Sequence, residues 1–263
     1  MHVDQRYQIV LLLVMLTGVM VGPAGGQWVK VPPPAPPGPD GKPNLAAPPP
    51  RGADGRPDLS GIWGAASTKY LNRLTADMKP EDIPYQPWAK ALVESRADNS
   101  HAREESDANC LPPGVPKIAA APPPWKIIQT PKQIAILHEA FTLWRQIFLD
   151  GREFDSDLDP AWLGYSVGKW EGDTLVVDSR GFNGKTWLDK AGNPTTESLH
   201  VIERYRRINV GTLEVKITID DPKAYTRPWD VTEQFRLVTS GEPFEVICEN
   251  NRDLEHLPGT SIK

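Results

Sequence analysis

Alternation of apolar and polar positions dominates the second half of the chain. From Leu163 to Asp178 two β-rich segments flank Gly172, and their Val, Tyr, Trp and Thr suit a pleated, half-buried surface, so the run predicts a β-hairpin turning at the glycine. Similar patterning marks Lys126 to Thr130, Gln133 to Glu139, Leu143 to Leu149, Leu199 to Ile208, Thr212 to Asp220, Val231 to Val238 and Phe244 to Glu249. With Gly164 to Trp170, Thr174 to Asp178 and Ile62-Trp63, about ten strands are predicted. Most neighbours are separated by short turns, which favours an all-β fold, an antiparallel up-and-down barrel or strongly curved sheet, over a parallel one. Helical spacing occurs over Pro87 to Arg96, where Trp88, Leu92 and Val93 share a face and predict one short helix. No repeated sequence unit stands out.

Two hairpins allow the register to be argued. A loop Asn209-Val210-Gly211, with glycine in the left-handed position, pairs Arg207 with Leu213, Tyr205 with Val215, Glu203 with Ile217 and Val201 with Ile219. A two-residue turn would instead set Arg204 and Arg206 against Ile217 and Val215 and bury two cations at large desolvation cost. The three-residue register is therefore expected, with an apolar face that carries Glu203. At Ser240-Gly241 a second hairpin is expected, setting Leu237 against Phe244, Phe235 against Val246 and Glu233 against Cys248.

The first residues change the picture of where the protein works. Gln8 to Gly22 is apolar behind Arg6, and Gly22-Pro23-Ala24-Gly25-Gly26 offers the small residues that a signal peptidase accepts, so residues 1–26 read as a secretory signal. The apolar run is shorter than the ~20 residues of a membrane span, so no stable span is expected in the mature form, which would be periplasmic or secreted. Residues 27–57 are rich in Pro and read as an extended or disordered arm; 58–255 are expected to form a single barrel domain, and 256–263 a tail. Removing the signal takes away Asp4 and Arg6 together, so the net charge of −5 persists and excludes a nucleic-acid partner, which needs a basic face. In an oxidising compartment the two cysteines, Cys110 and Cys248, are expected to close a disulfide.

Glu203 is the sharpest candidate for chemistry, because a carboxylate in an apolar sheet face must find a cation or several donors, or else keep its proton. It serves either as a general acid or base or in a buried ion pair with an arginine such as Arg145 or Arg152. His138 ends a strand in phase with Ile134 and Ile136, and it is grouped with Arg152, Tyr165, Tyr205, Tyr225 and Trp229 as residues expected to line a ligand cup. No metal is expected: His200 and Glu203 fall on opposite faces, and Asp155, Asp157 and Asp159 lack the glycine and terminal glutamate of a calcium loop. Ser166 sits in a Gly-x-Ser-x-Gly match, but within a β-hairpin and not between strand and helix, so it reads as an ordinary strand residue. No cofactor fingerprint is present.

The set Cys110-Leu111-Pro112-Pro113-Gly114, Ile128-Gln129-Thr130-Pro131, Asp150-Gly151-Arg152, Gly168-Lys169-Trp170-Glu171-Gly172-Asp173-Thr174-Leu175, His200-Val201-Ile202-Glu203-Arg204 and Cys248-Glu249-Asn250-Asn251 resembles a family of exported bacterial proteins of unknown function. That resemblance implies no activity. Gly61-Ile62-Trp63 is similar to the Gly-x-Trp start of lipocalin-type barrels, which implies a calycin-like cup for apolar ligands. Three readings follow: a barrel binding a small, partly apolar or sugar-like molecule with Glu203 as its anchor, a lyase, isomerase or hydrolase using Glu203 as acid or base, or a structural or envelope-interaction protein.

Overall fold

A computed structural model describes residues 36–98, 101–155, 157 and 159–248; the expected signal 1–26, the start of the arm and the tail 256–263 lie outside the described residues. Nine strands close into a barrel in sequence order: β1 Gly61–Ala65, β2 Trp125–Gln129, β3 Gln133–His138, β4 Leu143–Phe148, β5 Tyr165–Glu171, β6 Thr174–Arg180, β7 His200–Asn209, β8 Thr212–Asp220 and β9 Trp229–Leu237. β1 pairs with β9 through Trp63 and Leu237, so the sheet has no free edge at the seam. The period of two is cleanest in β9, where Trp229, Val231, Glu233, Phe235 and Leu237 point inward and the residues between them are exposed. Edge-on packing of Trp125 against Phe235, centroids 5.0 Å apart, fills the centre. Among the described residues no helix is long and apolar enough to cross a membrane.

The β7–β8 register is the one that avoids burying Arg204 and Arg206: Arg207 faces Leu213, Tyr205 Val215, Glu203 Ile217 and Val201 Ile219. The turn itself differs. The ladder shifts between Arg207 and Asn209 and resumes at Asn209 and Thr212, and Gly211 does not take a left-handed conformation. Its glycine is needed for close approach instead: Leu45 lies 2.6 Å from where a β-carbon would stand, and the Gly211 amide donates to the Leu45 carbonyl at 2.8 Å.

Three expectations need correction. The β4–β5 pair is parallel, Ile147 beside Ser166 and Phe148 beside Val167, because β5 does not turn straight back from β4 but starts, after a connection long enough for parallel pairing, beside the last residues of β4 and runs on in the same direction. The hairpin at Ser240-Gly241 does not form, since both edges of β9 are already taken by β8 and β1. Val238 still donates to the Ile62 carbonyl of β1 at 2.8 Å, but residues 239–248 form no strand; Val246 donates to the Glu139 carbonyl at 3.3 Å, and Cys248 is disulfide-bonded to Cys110. The arm also contains a tandem unit after all. Gly38-Pro39-Asp40-Gly41-Lys42-Pro43-Asn44-Leu45 and Gly52-Ala53-Asp54-Gly55-Arg56-Pro57-Asp58-Leu59 fold alike. In each the first glycine amide donates four residues ahead, to Lys42 O at 2.7 Å and Arg56 O at 2.9 Å, the aspartate accepts from the amide two residues on, and the second glycine sits at φ 75° or 76°. The copies differ in use: Leu59 is fully buried, whereas Leu45 is 38% exposed.

Outside the barrel lie α1 Lys69–Asn72 and α2 Pro87–Ser95. α2 falls where the spacing predicts a helix, but it buries Ala89, while Trp88 is half-exposed with its indole donating to the Lys223 carbonyl at 2.8 Å.

Candidate functional site

Glu203 points into the barrel, 2% exposed, and meets Arg145 of β4. Arg145 donates from Nη1 to Oε1 at 3.2 Å and from Nη2 to Oε2, and Tyr205 donates to Oε1 at 2.8 Å. The other Arg145 hydrogen bonds go to Ser179 Oγ at 2.8 Å and, from Nε, to Ser166 Oγ at 3.1 Å. A bidentate, fully hydrogen-bonded pair is how a buried arginine and carboxylate offset their desolvation. Burial acts to lower the Arg145 pKa, but the charge and hydrogen-bond interactions with Glu203 and Tyr205 together outweigh it and hold the guanidinium above its ordinary value. Burial, then the Glu203 charge, pushes the Tyr205 phenol well up. These hydrogen bonds hold the guanidinium, the carboxylate and the phenol in one arrangement.

Of the residues expected around a cup, Tyr205 joins Glu203, while Tyr225 and Trp229 pack edge-on at 5.4 Å. His138 is inside, against Trp125 at 6.1 Å, and its Nε2 has no hydrogen-bond partner. Burial, followed by the Arg145 charge, lowers its pKa to about 3. Arg152 and Tyr165 are not brought to the others: Arg152 is exposed and paired with Asp150, stacked on Phe148 at 3.7 Å, and Tyr165 donates to the Asp159 carbonyl at 3.0 Å. His200 lies on the outer face and meets Asp178 at 2.9 Å. Among the described residues no three of His, Cys, Asp and Glu gather as metal ligands would.

Sequence reasoning passed over Glu233. It is 2% exposed and makes no hydrogen bond or ion pair among the described residues, so burial, followed by repulsion from Glu203, raises its pKa to about 8. Its signal is the period of β9, in phase with Val231, Phe235 and Leu237, and the expected hairpin against Cys248 obscured it.

A second site lies on the flank, where α2 faces the chain after α1 and the loop at Lys190. They enclose a cleft of about 530 Å³ lined by Arg73, Lys90, Arg96 and Lys190, by Glu94 and Asp98, and by apolar and aromatic groups including Ile83, Tyr85 and Val93. Its frame is pinned from behind. The Asp189 carboxylate accepts from the Leu74 amide at 2.6 Å and from Asn193 Nδ2 at 2.6 Å, the Lys190 amide donates to the Leu71 carbonyl at 2.9 Å, and the Tyr85 hydroxyl donates to Asn193 Oδ1. Burial raises the Tyr85 pKa to about 12, with the Asp189 charge adding to it, and the Tyr225 ring supports Tyr85 at 5.7 Å. Arg96 lies 4.0 Å over the Trp187 ring and donates to the Gly192 carbonyl at 2.8 Å.

Fold and site together define a closed β-barrel protein that locks its polar groups inside and keeps an open cleft outside. No protein-family model matches the chain, and no curated protein matches it either. Among solved structures, a crystal structure of a mutant of the fluorescent protein UnaG is similar over 69% of this chain and 97% of that one, with 15% identity and a TM-score of 0.34, a likeness too slight to carry any argument.

Proposed function

We propose that this is a small-molecule-binding β-barrel that takes its ligand into the flank cleft beside α2, while the Arg145–Glu203 pair holds the barrel together. The observation that carries the reading is the cleft itself: about 530 Å³ lies within the ~300–1,000 Å³ usual for ligand pockets, and its walls mix apolar groups with a few charged ones. Tyr225 and Trp229 serve it from behind, through Tyr85. Glu203 as acid or base finds less support, because both its oxygens are taken by Arg145 and Tyr205. Export belongs to the same reading, and the Cys110–Cys248 disulfide is compatible with it.

Native mass spectrometry of protein from its own host, with a thermal-shift panel of metabolites, tests the proposal. A bound or stabilising molecule is expected, and Val93→Trp, which fills the cleft without altering its charge, abolishes the effect. Equal stabilisation of wild type and Val93→Trp, or none across the panel, overturns the proposal.

A further inference from the structure

We propose that the cleft selects an organic acid, its anionic head between Arg73 and Lys190 and its apolar body against Ile83 and Val93; this rests on cleft binding as proposed above. Four cations line the cleft against two acids, on a chain whose net charge is −5. Not all of the cations are available. Arg96 is held by the Gly192 carbonyl, the Trp187 ring and Glu104 at 3.5 Å, and Lys90 leans toward Glu94 at 4.0 Å. Arg73 and Lys190 are exposed, and neither side chain has a hydrogen bond or ion pair among the described residues.

The backbone segments that carry these two cations are fixed relative to each other. Arg73 lies between Leu71, whose carbonyl accepts from the Lys190 amide at 2.9 Å, and Leu74, whose amide donates to Asp189 at 2.6 Å. The segments that carry them are therefore stitched together on both sides of Arg73, so an anion bridging the two side chains need not order the backbone first. Two like charges on one solvent-facing rim repel each other modestly in the empty protein, and a carboxylate or other oxyanion between them turns that repulsion into attraction. The apolar wall adds a preference for an acid with a hydrocarbon body over a bare ion.

Calorimetric titration of the full chain with hexanoate and benzoate, their uncharged alcohols hexanol and benzyl alcohol, hexylammonium and inorganic phosphate tests the assignment. Each acid is expected to bind at least about tenfold tighter than its alcohol, and affinity is expected to fall with added salt. The double variant Arg73→Gln/Lys190→Gln, which touches only exposed side chains, should remove the acid preference while leaving alcohol binding and the melting temperature unchanged. Val93→Trp should abolish binding of acids and alcohols alike. Alcohols bound as tightly as acids, with both lost in Val93→Trp, would leave the cleft reading intact and overturn the organic-acid assignment. So would tighter binding of hexylammonium, or phosphate bound as tightly as hexanoate. Absence of binding by every probe, or binding unaffected by Val93→Trp, would overturn both.

Discussion

Replacing Glu233 with glutamine should remove most of the alkaline instability of this barrel. The carboxyl is buried, lacks a cation of its own and feels the Glu203 charge, so burial and then that repulsion raise its pKa from 4.5 to about 8. Between those values the unfolded chain has released the proton and the folded chain has not, and stability therefore falls as pH rises. The loss is about 1.4 kcal/mol per pH unit. His138 acts in the opposite sense, because a pKa lowered from 6.5 to about 3 makes stability rise with pH across that window. The two slopes cancel between pH 4.5 and 6.5, and above 6.5 the Glu233 slope remains until about pH 8. Wild-type protein should lose roughly 2 kcal/mol over that last interval, a sizeable part of a typical 5–15 kcal/mol. Glutamine keeps the volume and cannot ionise, so Glu233→Gln should lack this loss and exceed wild type by roughly 4–5 kcal/mol at pH 8 if the two match in acid. Urea unfolding followed by tryptophan fluorescence, with the disulfide intact, at pH 4.5, 6.5 and 8 measures this. Comparing the two proteins cancels other titrating groups, including Glu105, which burial pushes up to about 7. If Glu233→Gln lost as much stability as wild type between pH 6.5 and 8, the carboxyl would already be ionised and the electrostatic account of the interior wrong.

Two further outcomes follow from the same structure. Arg145→Met leaves Glu203 buried without a cation and should cost about 3–5 kcal/mol in urea unfolding, whereas Arg145→Met/Glu203→Leu should recover most of the loss; equal losses in single and double variants would refute the ion-pair account. Leu59→Ala, at a fully buried position, should cost about 2–5 kcal/mol, while Leu45→Ala in the matching copy of the tandem turn should cost under about 1 kcal/mol; equal losses would show that the copies share one structural role.

Strand register was legible wherever a charge would have been buried by the alternative. Arg204 and Arg206 settle the β7–β8 pairing because a one-residue slip turns both inward, and no knowledge of the rest of the chain is needed. The parallel β4–β5 pair and the fate of residues 238–248 were hidden for the converse reason. Both depend on which sheet edge is vacant, and that is fixed only when β1 closes on β9, strands far apart in sequence. The tandem turn is written in the letters Asp-Gly-Lys-Pro and Asp-Gly-Arg-Pro, but it sits in a proline-rich stretch whose composition favours extended chain.

The candidate sites divide along the same line. Glu203 could be found because β7 alternates strictly, and Arg145 shares the inward phase of Ile147 in β4, so a partner of opposite charge was already available within the barrel wall. That partner ties both Glu203 oxygens into hydrogen bonds, which favours the cohesive role proposed for it above. The flank cleft has no comparable signature. Its cations come from the residue that ends α1, from α2 and its C-terminal cap, and from the loop after Asp189, and each alone reads as an ordinary solvated charge. The hydrogen bonds of Asp189 and Lys190 to the backbone at Leu74 and Leu71, with that of Arg96 to the Gly192 carbonyl, make them neighbours. A barrel whose interior is closed by its own polar pair can vary such a rim without disturbing its core, which is why ligand recognition is better sought among the uncommitted charges outside than at the buried acid inside.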